Sequence, residues 1–201
     1  MRIATEEQLR AIYGQPMEVA AAKVIDHLDA HCRRWFELSP FVVISTSNGD
    51  RLDASPKGDA PGFCRVEDEK HLLIPDWPGN NRIDGLSNIV RHPQVGLISF
   101  IPNVKETLRV NGHATIHDDE DLRAQFETRG RLPITVLRIA VEEVFLHCSK
   151  CVLRSKLWSP ESWPERSAIP SMSDMIRDHS QKEVPSATPE ELDRRYADRL
   201  Y

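Results

Sequence analysis

Between residues 41 and 148 the apolar pattern of this 201-residue chain changes period, and that change most narrows the folds open to it. Side chains alternate across a strand but recur every three to four residues on a helix face. Residues 107–116 alternate cleanly: Leu108, Val110, Ala114 and Ile116 point one way, and Thr107, Arg109, Asn111 and His113 point the other. Residues 41–46 are rich in β-branched side chains and run into Asn48-Gly49-Asp50, a turn signal. Residues 52–63 begin as a strand, but Pro56, Gly58 and Pro61 make it bulge or end near Ser55. Short strands follow at 71–75 and 95–101, and a longer one at 136–148. The unbroken apolar run at 95–101 predicts burial on both faces. Several strands with few helices between them point to an antiparallel barrel or sandwich, not a doubly wound sheet.

The flanks read differently. Thr5 and Gln8 resemble a capping box for a helix over 5–13, before Gly14 and Pro16 intervene. Val24, Leu28, Cys32, Trp35 and Phe36 fall at helical spacing, which predicts one helix over 17–38 ended by Pro40. An acidic first turn suggests a helix over 118–129. From Ser159 the chain holds Pro160, Pro164, Pro170, Pro185, Pro189 and much charge, with 190–200 as a final helix. The expected organisation is an N-terminal helical segment (1–40) packed on a barrel (41–158), then a tail (159–201) that is partly disordered or wraps a partner subunit.

Charge excludes some partners. With 26 basic and 31 acidic residues the net charge is −5, and no basic stripe is present, so a nucleic-acid partner is not expected. No apolar run approaches the ~20 residues that cross a bilayer, and residues 1–10 are too polar for a signal peptide. A cytoplasmic protein is therefore the expectation. Cys32, Cys64, Cys148 and Cys151 include one C-x-x-C, but no second pair completes a zinc site and no βαβ context suggests a dithiol catalyst. The Gly-rich dinucleotide and nucleotide loops and the G-x-S-x-G elbow are absent.

Four segments carry groups suited to an anion or a planar ligand. Pro78-Gly79-Asn80-Asn81-Arg82 leads into an amphipathic helix carrying Ile83, Leu86 and Ile89, with Asn80 or Asn81 as its cap. A helix N-terminus favours an anion, and Arg82 adds a forked cation suited to phosphate. Ser55, Lys57 and Gly58 sit near a strand end. Thr107, Arg109 and Asn111 share the polar face of their strand, with Gly112 permitting close backbone approach. His147-Cys148 precedes a cationic stretch, Lys150, Arg154 and Lys156, that ends in Trp158. Taken singly, each also reads as ordinary solvated surface.

In this order the segments resemble the FMN-binding split-barrel proteins related to pyridoxamine 5′-phosphate oxidase. The resemblance rests on Asp53-Ala54-Ser55-Pro56-Lys57-Gly58-Asp59, Ile74-Pro75-Asp76 with Gly79-Asn80-Asn81-Arg82, and Glu106-Thr107-Leu108-Arg109-Val110-Asn111-Gly112. It extends to His147-Cys148 with Lys150, Arg154-Ser155 and Leu157-Trp158, and spans about residues 17–160. It implies a mainly β fold with flanking helices, a six-stranded antiparallel split β-barrel, working as a homodimer with FMN at the subunit interface. It implies that Arg82 and Lys57 meet the FMN phosphate. Ser55, Asn81, Thr107 and Arg109 would contact phosphate, ribityl chain or ring, and Lys150 and Arg154 the partner subunit's flavin. The implied activity is an FMN-dependent oxidoreductase acting on a small molecule. A non-catalytic flavin- or haem-binding protein and a deazaflavin-dependent reductase are the alternatives. Two departures weigh against vitamin B6 oxidation: Ile83 follows Arg82 where the oxidase has an Arg-Lys pair, and the tail lacks the oxidase's Trp-Arg-rich closing segment.

Overall fold

The strands assemble in a computed structural model that describes residues 2–197 and 199–201. Helices α1 (Glu6–Tyr13), α2 (Glu18–Ala22) and α3 (Ala30–Leu38) precede β1 (Phe41–Ser47) and β2 (Leu52–Gly58). Then come β3 (Arg65–Val66), β4 (His71–Asp76), α4 (Asp84–Arg91), β5 (Gln94–Phe100) and β6 (Thr107–His117). Helix α5 (Glu120–Ala124), β7 (Thr135–His147), α6 (Lys150–Ser155), α7 (Met172–Ser180) and α8 (Pro189–Ala197) complete the order.

All pairings in the sheet are antiparallel, in the order β2-β1-β5-β6-β7-β4-β3. The expected mainly antiparallel barrel with flanking helices is therefore present, with seven strands in place of six because Arg65–Val66 adds a two-residue edge. The sheet is not closed by hydrogen bonds. Its two ends instead approach where Lys57 on β2 forms an ion pair with Asp76 at the end of β4.

One core fills the barrel. Leu28, Cys32 and Phe36 of the α3 region meet Val42, Ile44, Leu72, Ile74, Leu97, Val110, Ile139 and Val144. Burying a Leu, Val or Phe side chain contributes about 1.5–3 kcal/mol, so α3 belongs to the same cooperative core as the strands.

Several local expectations are corrected. The helix expected over 17–38 is broken, because residues 23–29 leave helical geometry and Ile25 pairs with Val144 as an isolated bridge. A ladder contact at Ile25 outweighs the helical spacing of Val24 and Leu28. Strand β5 is not buried on both faces: Val95, Leu97 and Ser99 point inward, while Ile98 is 36% exposed. The acidic helix expected over 118–129 shortens to one turn and a half, Glu120–Ala124, ahead of the bridge between Thr128 and Arg131. Helix α8 covers most of the expected 190–200. Among the described residues no helix is long and apolar enough to cross a membrane.

Candidate functional site

Strand β2 shows how the sequence builds this site. Its period of two turns Asp53, Ser55 and Lys57 toward the protein while Leu52, Ala54, Pro56 and Gly58 face out. Asp53, Ser55 and Lys57 form one wall of a cavity of about 690 Å³. Ile44 and Thr46 of β1, Asp76 and Trp77 at the end of β4, and Thr135 and Leu137 of β7 supply the floor. The loop 79–83 and the first turn of α4 close the far side. A volume of about 300–1,000 Å³ is the usual range for a small-molecule or cofactor site.

Helix α4 reaches this cavity at its N-terminal end. Neither Asn80 nor Asn81 caps it, contrary to expectation. Asn80 Oδ1 accepts from the backbone N–H of Arg82 at 3.0 Å, and the helix begins after Ile83. Asn81 and Ile83 have φ of 58° and 50°, in the left-handed region. A β-branched residue there is a genuine outlier that costs of order 1–3 kcal/mol, so the loop holds its shape against local preference. Gly85 permits the helix to lie against β2: a Cβ at this position would come within 2.8 Å of Asp53 Oδ2. Behind the cavity, buried Asn88 donates to Thr46 Oγ1 at 3.0 Å and fixes the helix to β1.

The cavity lining carries three carboxylates, Asp53, Asp76 and Asp84, against two cations, Lys57 and Arg82. Ser55 Oγ donates to Asp53 Oδ2 at 2.7 Å. Lys57 is paired with Asp76, both side chains being mostly buried. Arg82 Nε donates to Asp84 Oδ2 at 2.8 Å, with the Arg82 side chain 75% exposed. Both cations therefore have carboxylate partners, and a bound anion would have to exchange with them. Beneath the lining, two buried polar atoms of its residues, Trp77 Nε1 and Thr135 Oγ1, have no hydrogen-bond partner among the described residues. An unpaired buried donor or acceptor costs about 1–3 kcal/mol.

The sequence-derived residues divide into groups. Ser55, Lys57, Asn81 and Arg82 line the cavity together. Thr107 and Arg109 do not; they lie on β6 opposite His147 and Phe145 of β7. Lys150 and Arg154 are exposed on α6, away from the cavity lining. Cys148 and Cys151 are free and exposed, whereas Cys32 and Cys64 are free and buried. Burial pushes the Cys32 thiol up to about 12, and burial also raises Cys64 well above the ordinary thiol value. Neither buried thiol is reactive.

Sequence reasoning missed Trp77 and Thr135 in the lining, and Tyr201 just outside it. Trp77 lies two residues past strand 71–75 and directly precedes the Pro78-Gly79 turn, so strand continuation carried a signal for it. Tyr201 carried none. Its ring meets Trp77 edge-on at 4.8 Å, its hydroxyl donates to Asp59 Oδ1 at 2.6 Å, and Arg129 lies over it at 5.4 Å. The end of the tail thus packs against the outside of the cavity wall.

A flavin mononucleotide needs donors for its phosphate and acceptors for its ribityl hydroxyls and imide N–H. Ser55, Lys57, Asn81 and Arg82 fit the first need, and Asp53 and Asp84 fit the second. No curated protein matches the sequence. Among solved structures, HupZ from Group A Streptococcus is 20% identical with a TM-score of 0.45, over 56% of this chain and 90% of that one. General Stress Protein 26 from Bacillus anthracis is 15% identical with a TM-score of 0.45, over 56% of this chain and 88% of its own. The FAD binding protein from Mycobacterium smegmatis is 16% identical with a TM-score of 0.43, over 61% of this chain and 97% of its own. The family model for pyridoxamine 5′-phosphate oxidase matches residues 28–148, from the start of the α3 region to the end of the last strand. That span is more than half of the chain and includes every residue of the cavity lining; the chain belongs to the pyridoxamine 5′-phosphate oxidase family.

Proposed function

We propose that this protein binds FMN in the β2–α4 cavity and acts as a cytoplasmic, homodimeric FMN-dependent oxidoreductase on a small-molecule substrate. One observation carries the reading. Four residues spread over 28 positions of the chain, Ser55, Lys57, Asn81 and Arg82, converge on one cavity.

In this reading Lys57 and Arg82 hold the phosphate, with Asp76 and Asp84 keeping both cations oriented before binding. Charge-assisted hydrogen bonds of this kind are roughly twice as strong as neutral ones. The α4 N-terminus adds a partial positive charge next to the same group. Leu137, Ile44 and Ile89 exclude water from the buried side. When bound, the flavin supplies the redox chemistry, and the protein supplies position and electrostatics. A second protomer would complete the wall that one chain leaves open.

The test is the visible absorption spectrum of the purified protein before and after incubation with FMN and gel filtration, with the cofactor then extracted and identified. Flavin bands that travel with the protein support the reading, and reduction of those bands by NAD(P)H supports turnover. An extracted deazaflavin or haem, or a protein that passes FMN unretained, overturns it.

A further inference from the structure

The flavin reading gives no work to Cys148 and Cys151, yet the fold brings them together in one turn. Strand β7 ends at His147, Cys148 follows it, and α6 begins at Lys150 with Cys151 as its second residue. The separation of two Cα atoms three positions apart is set by the dihedrals of the two residues between them. Here those residues are Ser149, with φ −66° and ψ −9°, and Lys150, which is already helical. Two successive right-handed α conformations bring the end Cα atoms of such a turn within about 7 Å. A disulfide usually bridges Cα atoms about 4.4–6.8 Å apart. The Cα–Cβ bond of Cys151 tilts toward the helix N-terminus, which is the direction of Cys148.

The turn is anchored on both sides. Before it, His147 pairs with Thr107 in the β6–β7 ladder. Within it, the Ser149 carbonyl accepts from the backbone N–H of Leu153 at 2.9 Å. Beyond it, Val152 is buried, and Trp158 Nε1 donates to the carbonyl of Val104 at 2.9 Å. The two cysteines are therefore held near each other by the fold.

Accessibility separates this pair from the other thiols. Cys32 and Cys64 are buried, whereas Cys148 and Cys151 are both free and exposed. Exchange with a disulfide requires a thiolate that the reagent can reach, and only the second pair meets the condition of access. A metal is a poorer fit: among the described residues no further His, Cys, Asp or Glu joins this pair in a metal-binding group.

We propose that Cys148 and Cys151 are a redox-sensitive modification site, a dithiol that closes to a reversible disulfide by exchange with low-molecular-weight disulfides. One cysteine thiolate attacks a sulfur of the small disulfide. The S–S bond breaks, one small thiol leaves, and a mixed disulfide remains on the protein. The other cysteine, deprotonated in turn, attacks the protein sulfur of that mixed disulfide. The Cys148–Cys151 bond forms and the second small thiol leaves. The protein dithiol is oxidised by two electrons and loses two protons, and the small disulfide is reduced to two thiols. Excess small thiol runs the same steps backward. A bond that closes so short a loop constrains the unfolded chain little, and an exposed disulfide belongs to the labile class, not the structural one. Neither cysteine lines the cavity, so the site stands whether or not that cavity holds FMN.

The test incubates the folded full-length protein with oxidised glutathione and measures its intact mass. The wild type should lose two hydrogens and carry no glutathione. Trypsin cleavage after Lys150 should then leave the two cysteine peptides joined only by the new bond, and excess reduced glutathione should restore both thiols. Cys148→Ser and Cys151→Ser should each carry one glutathione instead, because the mixed disulfide has no neighbour to resolve it. A wild type that retains glutathione on these cysteines, that stays unmodified, or that links two chains through them overturns the proposal.

Discussion

At the scale of single residues, Asp29 shows how one carboxylate joins helix to barrel. Its Oδ1 accepts from the backbone N–H of Cys32 at 2.8 Å and caps α3, the helix that supplies Cys32 and Phe36 to the core. Asp29→Ala should cost about 1 kcal/mol, within about 0.5–2, in urea unfolding. The same bond lowers the Asp29 pKa from 3.8. A depressed carboxylate stabilises the fold above its unfolded value, and that contribution is lost as pH falls through the folded value. The difference in stability between wild type and Asp29→Asn should therefore shrink below about pH 3.8, since Asn keeps the cap without titrating. Arg82→Ala should weaken FMN binding by about 1.5–3 kcal/mol, the range for a charged hydrogen bond, measured by flavin fluorescence quenching. Unchanged affinity would remove Arg82 from the site. Arg82 was legible in the sequence because Pro78-Gly79 and the apolar positions after it mark a helix start. Its partner Asp84 was not singled out, although only one residue separates them, because no local pattern tells a first-turn carboxylate that serves the dipole from one that holds an arginine.

At the scale of elements, strand alternation was the most legible property, and Gly112 shows what it could not convey. Strand β6 keeps its expected alternation from Leu108 to Thr115, although Thr107 at its start is buried, while β7 carries the irregularity: Asn111 pairs with Glu143 and Gly112 with Val141, so Glu142 is the extra residue. A Cβ on Gly112 would fall 2.1 Å from the carbonyl oxygen of Ala140. Gly112→Ala should destabilise the protein by about 3 kcal/mol or more, because the obstacle is backbone in the central pair of strands. A loss under about 0.5 kcal/mol in thermal or urea unfolding would show that the bulge relaxes freely. The sequence marked Gly112 as a site of close approach, but the bulge lies in β7, where no Gly or Pro announces it. The helix over 17–38 failed for a related reason: the bridge at Ile25 joins residues 119 positions apart, and such pairings leave no trace in local spacing.

At the scale of the whole molecule, the split in the barrel and the candidate site are one feature. Lys57 and Asp76 join β2 to β4 across the opening, with side chains only 21% and 16% exposed. Lys57→Met leaves Asp76 without its partner, and should cost about 3 kcal/mol of stability as well as FMN affinity. Lys57→Met/Asp76→Leu should regain most of that stability, because an apolar pair replaces a half-emptied ionic one, yet still fail to bind FMN tightly. Recovery of FMN affinity in the double variant would show that Lys57 serves the fold alone. The tail was the least legible part of the chain. Its prolines suggested disorder or a wrap around a partner, and no pattern in it marked Tyr201 as the residue that reaches Asp59 and Trp77. That contact joins residues far apart in sequence and follows from no periodicity.

If the β2–α4 cavity holds a flavin in a dimer, sedimentation velocity recorded at flavin and protein wavelengths will show both at once. The protein incubated with FMN should sediment at twice the chain mass, with the flavin absorbance moving in the same boundary. Flavin absorbance left behind at the rate of the free cofactor would contradict the claim. A flavin-saturated boundary at the mass of one chain would keep the cavity and reject the dimer.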